Sequence, residues 1–236
     1  SEEAATVLLG EAGDEAGSAL AAIDDLLIMG APGHDDGDAV EAGALYLVPL
    51  DTRGIVHLAD VATTIVGKEE SDRLGEALFP LPDVDGNHRV AVSAPTAGSM
   101  GSVYVLSAFS ESGSIGDAAD YVIYGETEGG ELGSSITAGS GMLGAGTAQL
   151  VIGNAASGST VWLAPLDGEG EISVSSLDTY IVSPESGSEF GRAVLAIDLT
   201  MDGLDDLVVG LPAFGATYFG DSYGATFMYE APLSGE

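Results

Sequence analysis

Short, continuous apolar runs recur along the chain between polar, glycine-rich segments. The four most apolar runs span residues 26–30, 90–93, 150–153 and 207–210. Runs of this length without alternation are typical of strands that are buried on both faces. Pro32, Pro95 and Pro212 follow three of these runs, and proline ends strand pairing because it has no N–H to donate. The sequence therefore predicts four central strands.

Each central strand is predicted to have three companions. A first strand precedes it, at residues 18–23, 76–81, 134–138 and 192–199. A third strand, which opens on a glycine and carries an aromatic residue, follows at residues 43–48, 101–106, 158–163 and 224–229. Runs of a fourth type occupy residues 6–10, 63–67, 121–125 and 179–183. Each period thus contains four short strands joined by turns.

A glycine ahead of the first strand marks each period. Gly17, Gly75, Gly133 and Gly191 are spaced 58 residues apart. Four-stranded repeats of about this length are typical of β-propeller blades. We therefore predict an all-β fold, a single β-propeller domain of four-stranded blades over residues 1–236. The predicted repeats cover about residues 11–67, 68–125, 126–183, and 184–236 together with 1–10.

The first and the last predicted strands along the chain suggest how such a ring would close. Residues 6–10 form a fourth-type strand with no third strand before it, and residues 224–229 form a third-type strand with no fourth strand after it. We expect the N-terminal strand to complete the last blade, which would leave no exposed sheet edge. The alternative is that the four repeats belong to a longer array.

The loop before the last central strand has the spacing of a calcium site. Calcium takes about six to eight oxygen ligands. Asp198, Thr200 and Asp202 offer side-chain oxygens at positions one, three and five of this loop. The carbonyl of Leu204 and the side chain of Asp206 at position nine complete the predicted set. The alternative is a turn that satisfies itself through side-chain hydrogen bonds.

The corresponding loop of the second repeat is degenerate. It keeps Asp83 and Asp85, but Leu81 and Arg89 stand at its first and ninth positions. We expect Arg89 to pair with the two aspartates in place of a metal ion. A second cation held by Asp83 and Asp85 remains the alternative.

Two further loops carry candidate binding residues. Asp35, Asp36 and Asp38 follow His34, and this run predicts either another cation site or a solvated turn, which is commoner. Residues 214–223 hold four aromatic side chains between glycines. Exposed rings beside acidic residues suit contact with a sugar or a protein, whereas the alternative is packing against the blade edge.

Charge narrows the class of partner. The chain has 38 acidic and 5 basic residues, a net charge of −33. Such a chain repels nucleic acid and anionic membranes, attracts cations, and suits a high-salt or marine setting. It has no cysteine, which excludes disulfides and thiolate metal sites. No apolar run reaches about 18 residues, so we expect no membrane-spanning segment.

The last repeat resembles a known family. Phe190-Gly191, the loop at 198–206 and residues 209–212 resemble the FG-GAP repeat of integrin α-subunit β-propellers. Gly30-Ala31-Pro32 and Ser93-Ala94-Pro95 fit the same motif. The integrin propeller has seven such repeats, whereas four are found in this chain. The resemblance implies calcium in the loop between the first two strands, ligand contact on the opposite face, and an extracellular or cell-surface location.

No catalytic motif accompanies the repeats. The chain lacks a G-x-S-x-G elbow, an H-E-x-x-H segment, a P-loop and a cysteine nucleophile. We therefore predict a non-enzymatic, extracellular, calcium-binding module for adhesion or for binding a protein or glycan. Two alternatives stay open: a structural subunit that self-assembles by strand exchange, and a propeller-type enzyme that acts on polysaccharide.

Overall fold

The computed structural model describes residues 6–84, 87–107, 109, 111–144, 146–154, 156, 159–215 and 221–233. The described part is all-β, as predicted. Its strands are β1 (Thr6–Leu9), β2 (Ala19–Ile23), β3 (Leu26–Ala31), β4 (Ala44–Pro49), β5 (Gly54–His57), β6 (Thr63–Val66), β7 (Leu78–Val84), β8 (Asn87–Ala94), β9 (Ser102–Leu106), β10 (Gly113–Ser114), β11 (Tyr121–Tyr124), β12 (Leu132–Ser140), β13 (Ala148–Asn154), β14 (Thr160–Pro165), β15 (Gly170–Ser173), β16 (Thr179–Val182), β17 (Ala193–Ile197), β18 (Asp206–Leu211) and β19 (Ala225–Tyr229).

In the part of the chain that the structure describes, helical structure consists of single turns. They are α1 (Leu58–Val61), α2 (Ile115–Ala118), and 3-10 turns at Ala97–Ser99 and Val174–Ser176. Among the described residues, none of these helices has the length and apolar character needed to cross a membrane.

Each repeat folds into its own antiparallel meander. The strand orders are β2-β3-β4-β6, β7-β8-β9-β11, β12-β13-β14-β16 and β17-β18-β19. The sixteen strands predicted from the sequence are all found, with bounds shifted by a few residues. The central strands β3, β8 and β18 stop directly before Pro32, Pro95 and Pro212. The side chains of all four central strands, β13 included, are mostly buried.

The structure adds a short strand that the sequence pattern did not predict. In the first three repeats β5, β10 and β15 follow the third strand, where only a turn was expected. Each pairs in parallel with the fourth-type strand of the preceding period: β5 with β1, β10 with β6, and β15 with β11. A helical turn then follows and buries one apolar side chain, Leu58, Ile115 or Val174. The added strand therefore ties each repeat to the one before it.

Among the described residues, no pairing joins the N-terminal strand to the last sheet, so its completion of the last blade stays a prediction. β1 pairs with β5, from Thr6 opposite Gly54 to Leu9 opposite His57. The sheet of the fourth repeat has three strands among the described residues. Leu8 lies against the apolar cluster of the first repeat that includes Tyr46.

The sheets pack on one another in chain order. β2 contacts β7, β12 contacts both β7 and β8, and β17 contacts β12. The largest apolar clusters lie between consecutive sheets. One joins Ile28 and Leu45 to Val92, and another joins Val103 and Ile123 to Ile152. The apolar faces of the central strands are thus buried by the neighbouring repeat.

The recurring glycine has the same structural role in every repeat. Gly17, Gly75, Gly133 and Gly191 have φ values of 96°, 94°, 89° and 89°, a region that side-chain-bearing residues rarely adopt. The N–H groups of Gly17 and Gly75 donate to the carbonyls of Gly30 and Ser93, near the end of the central strand. The 58-residue spacing therefore reports a repeated backbone turn.

Candidate functional sites

The acidic loop of the fourth repeat is anchored by Asp206, the first residue of β18. Its side chain is buried and accepts the N–H groups of Leu199 at 2.8 Å, Thr200 at 3.1 Å and Ala231 at 2.8 Å. The hydrogen bond from Ala231 lowers the pKa of this carboxyl below its ordinary value; burial opposes this shift, and the bonds from the loop add to it. Asp206 thus holds both ends of the loop to the last strands.

The other predicted ligands are exposed or half-buried. Asp198 accepts the N–H groups of Asp202 at 3.1 Å and Gly203 at 3.0 Å. Asp202 accepts the N–H of Leu204 at 2.9 Å. Thr200 is exposed and Leu204 is half-buried. The loop therefore closes on itself through side-chain hydrogen bonds, which is the alternative that the sequence left open.

The donor chemistry of this loop fits a hard cation, although its carboxylates do not converge. Asp198, Thr200 and Asp202 carry side-chain oxygens, the type of donor that calcium takes. In the described part of the chain, however, no three acidic or histidine side chains are grouped as a metal site. The ligand set Asp198, Thr200, Asp202, Leu204 and Asp206 stays a prediction.

The run at residues 35–38 forms a turn. Asp35 accepts the N–H of Glu41 at 2.8 Å, and Asp36 pairs with Ala39 through backbone hydrogen bonds in both directions. Asp36 and Asp38 are exposed. These carboxylates belong to a solvated turn in the arrangement described.

The degenerate loop of the second repeat lies largely outside the description. Asp85 is outside the described residues, and Asp83 lies in β7 with its side chain outside them. Arg89 donates from Nη1 to the carbonyl of Leu166 in the third repeat. Its guanidinium thus joins the second repeat to the third. The pairing of Arg89 with Asp83 and Asp85 stays a prediction.

Only part of the aromatic loop is described. Phe214 packs edge-on against Phe227, with ring centroids 5.7 Å apart, and belongs to the core between the third and fourth sheets. Tyr223 is exposed. Tyr218 and Phe219 lie outside the described residues. The described part of the loop therefore has one packed ring and one exposed ring.

A polar cluster in the first repeat was not predicted. Asp14 accepts a hydrogen bond from the hydroxyl of Tyr46 at 2.7 Å and lies 3.1 Å from Nδ1 of His34. The same Nδ1 lies 3.1 Å from the Tyr46 hydroxyl. The three side chains thus form a closed triangle at the end of the sheet that carries the turn at residues 35–38.

Burial and hydrogen bonding set the charge state of this cluster. Burial by itself raises the pKa of Asp14, but hydrogen bonds from Tyr46, from the N–H of Glu11 and from His34 lower it overall. Burial, followed by the hydrogen bond to Asp14, raises the pKa of Tyr46. The arrangement therefore keeps Asp14 ionised and Tyr46 protonated as a donor.

A signal for this cluster exists in the repeats. Asp14 and Asp72 both stand three residues before the recurring glycine, and Tyr46 and Tyr104 both stand three residues after the glycine that precedes the third strand. This match between the two repeats identifies Asp14 and Tyr46 as a candidate pair. His34 has no histidine counterpart in the second repeat and gives no such signal.

Compared with models of known protein families and with curated protein sequences, the chain gives no match.

Proposed function

We propose that this chain is a non-enzymatic, extracellular or cell-surface module of propeller type that binds Ca²⁺ and a protein or glycan partner. The observation that carries the proposal is the fourfold meander, in which every repeat turns on the same glycine and the last repeat adds an acidic loop. The non-enzymatic assignment rests on the absence of catalytic motifs from the sequence.

The two proposed binding regions lie at opposite ends of the fourth sheet. The acidic loop enters β18 at Asp206, and the aromatic loop leaves it after Leu211. A strand of this length spans about 20 Å, so a cation in the first loop lies well away from a partner on the second. We propose that calcium stabilises the blade rather than contacting the partner.

Binding of Ca²⁺ requires the exposed carboxylates to exchange partners. Asp198 and Asp202 accept N–H groups of the loop itself, and these bonds are solvent-exposed. Hydrogen bonds of this kind contribute about 1 kcal/mol each. A divalent cation offsets that loss readily, because the net charge of −33 draws cations to the surface.

The test is thermal unfolding with calcium and with a chelator. At about 100-fold excess over the Kd, a ligand that binds only the native state adds about 2.7 kcal/mol, or roughly 5–10 °C in Tm for a domain of this size. We expect this rise in the natural protein and its loss in Asp202→Asn. Asparagine keeps an oxygen for the Leu204 N–H and removes only the charge.

Asp178→Asn is the matched control, since Asp178 is exposed and lies outside the loop. It should keep the full calcium response. If Asp202→Asn keeps it as well, the cation is held elsewhere, with Asp35, Asp36 and Asp38 as the next candidates. If no variant responds, the loop is a metal-free turn and the calcium proposal is wrong.

A second candidate function, self-assembly, is favoured by two unpaired strand edges. β6, β11 and β16 each pair with a third strand, β4, β9 or β14. Among the described residues β1 and β19 lack these partners. Since β6 pairs with β10 on one edge and with β4 on the other, the equivalent pairing of β1 with β5 leaves the other edge of β1 for a third strand. Exposed edges invite further pairing. We propose that β1 pairs with β19, either within one chain to close a ring or between chains to build an assembly.

The internal repeats give the register of this pairing. Val66 lies opposite Ala44, Tyr124 opposite Ser102, and Val182 opposite Thr160. By equivalence, Leu9 lies opposite Ala225. The chain has no cysteine, so a Leu9→Cys and Ala225→Cys double variant offers a single cross-link.

A cross-link formed within one chain supports the closed propeller, and one that gives dimers and longer chains supports assembly. Leu9→Cys with Tyr223→Cys, two positions out of register, is the control and should form neither. If the Leu9 and Ala225 pair also stays reduced under oxidising conditions, β1 and β19 do not meet.

A further inference from the structure

The residue two places after the strand-ending proline has the same backbone position in three repeats. It is His34 in the first repeat, Ala97 in the second and Phe214 in the fourth. In each, its carbonyl accepts the N–H of the glycine that precedes the third strand, at 3.0 Å for His34, 2.9 Å for Ala97 and 3.2 Å for Phe214. The three side chains therefore start from equivalent places.

In two of these repeats the position carries a ring. His34 stands edge-on to Tyr46 with centroids 5.7 Å apart, and Phe214 stands edge-on to Phe227 at the same 5.7 Å. The second repeat keeps the aromatic of the third strand, Tyr104, but Ala97 has no ring to place against it.

A cavity lies where that ring is missing. It has a volume of about 180 Å³ and is lined by Ala97, Tyr104, Asp72, Lys68, Met100 and Tyr124, among others. An engineered cavity of roughly 150 Å³ in another protein is large enough to hold benzene. The space in the second repeat is therefore sufficient for a five- or six-membered ring.

The walls of the cavity select the type of ring. In the first repeat the ring is the imidazole of His34, and its neighbours are Asp14 and Tyr46. In the fourth repeat the ring is the phenyl of Phe214, and the residues at the equivalent positions are Ser188 and Phe227. The second repeat has Asp72 and Tyr104, the polar pair of the first repeat. Asp72 is only 4% exposed, and its Oδ2 accepts the N–H groups of Lys68 and Glu69.

Equivalent carboxyls in the two repeats differ in pKa. Burial raises the pKa of Asp72, and the hydrogen bonds from Glu69 and Lys68 do not reverse this shift. At Asp14 the contacts with Tyr46 and His34 do reverse it. Burial, followed by the charge of Asp72, also raises the pKa of Tyr104 to about 12. A hydrogen bond with the Ser102 side chain opposes this rise. The second repeat thus keeps the carboxyl and the phenol of the first repeat but has no imidazole beside them.

We propose that the cavity bounded by Asp72, Ala97 and Tyr104 is a binding site for an imidazole ring, supplied by a free base or by a histidine side chain of a partner protein. The ring takes the place that His34 fills in the first repeat, with one nitrogen towards the carboxylate and the ring edge against the tyrosine. This site is independent of the acidic loop and of calcium.

The test is titration with imidazole, in the presence of chelator and at constant ionic strength, followed by amide NMR shifts. We expect one saturable site in the natural protein, with shifts centred on Gly98 to Gly101. Ala97→His fills the cavity from within and should abolish the site. Asp72→Asn keeps the size of the side chain and should weaken binding at least tenfold.

His34→Ala is the reverse of Ala97→His, because it removes a ring instead of adding one. It opens an equivalent cavity beside Asp14 and Tyr46, so imidazole should bind that variant at two sites and recover part of the Tm lost by the substitution. N-acetylhistidine amide, with N-acetylalanine amide as its control, distinguishes the two sources of the ring: binding of the histidine amide supports a partner side chain, and binding of imidazole alone supports a free base.

Two results overturn the proposal. One is the absence of saturable shifts around Gly98 to Gly101 in the natural protein. The other is binding of equal strength in Ala97→His, which would place the imidazole outside this cavity.

Discussion

At the scale of single residues, Asp206 shows how one buried carboxylate can organise a loop. It accepts three backbone N–H groups, one from the segment after the last strand and two from the acidic loop. A neutral amide of the same shape keeps only one of the two accepting oxygens, and hydrogen bonds to an ionised group are about twice as strong. Asp206 therefore stabilises the fold whether or not calcium is present.

This role predicts a pH dependence. The pKa of Asp206 is lowered in the folded protein, so its contribution to the free energy of unfolding is present above the unfolded pKa of about 3.9 and is lost as the pH falls through the lower folded pKa. We expect Asp206→Asn to be less stable than the natural protein at pH 7 and the gap to narrow towards pH 3. Urea unfolding in chelator at a series of pH values measures the gap.

Asp51→Asn is the comparison, because Asp51 lies exposed in a turn. Its difference from the natural protein should be small and should change little with pH. A gap for Asp206→Asn that stays constant from pH 7 to pH 3 would contradict the assignment.

The polar cluster marks the limit of sequence reasoning at this scale. The acidic loop could be found because its residues are spaced within nine positions. Asp14, His34 and Tyr46 are separated by 20 and 12 positions and meet only because the central and third strands pair. No local spacing encodes such a triangle, and comparison between repeats reveals only Asp14 and Tyr46.

At the scale of elements, the recurring glycines share one backbone conformation but differ in how closely they approach the neighbouring sheet. An alanine at Gly17 would meet no atom within 4 Å, whereas the added Cβ at Gly75 would lie 2.8 Å from the Ala44 carbonyl oxygen and 2.9 Å from the Cα of Gly30. Both positions have φ near +95°. A comparison of Gly17→Ala with Gly75→Ala therefore distinguishes the cost of backbone strain, which both variants have, from the cost of a clash between sheets, which only Gly75→Ala has.

We expect Gly17→Ala to cost about 1–2 kcal/mol from backbone strain alone. Gly75→Ala should cost more, since overpacking against rigid backbone adds roughly 1–3 kcal/mol. Chemical denaturation of the two variants side by side measures the difference. Equal losses would mean that the contact between the first two sheets adjusts freely.

The strands themselves were largely predictable, and the exceptions have a common cause. Continuous apolar runs and the prolines after them located the central strands. The sequence pattern did not predict β5, β10 and β15, because strands of two to four residues with mixed polarity show no periodicity. Their parallel pairing with a strand of the preceding period also depends on how successive sheets stack, which no local pattern specifies.

At the scale of the whole molecule, charge opposes compaction. The net charge of −33 resides on a chain with few cations, and one of these, Arg73, already contacts Glu15 and Glu76 from two successive repeats. Isolated surface pairs of this kind contribute at most about 1 kcal/mol. Mutual repulsion of the remaining carboxylates therefore persists in the folded state and is larger there than in the expanded unfolded chain.

Salt should relieve this repulsion. The Debye length falls from about 10 Å at 0.1 M to about 3 Å at 1 M, so exposed carboxylates cease to interact. We expect the free energy of unfolding in chelator to rise with NaCl over this range while the urea m-value stays constant. A variant with Asp117, Asp167 and Asp178 changed to asparagine removes three exposed charges and should show a weaker dependence. Because sodium chloride acts on apolar burial equally in both proteins, the difference between their slopes isolates electrostatics. Parallel slopes would show that repulsion among the carboxylates does not limit the stability of this fold.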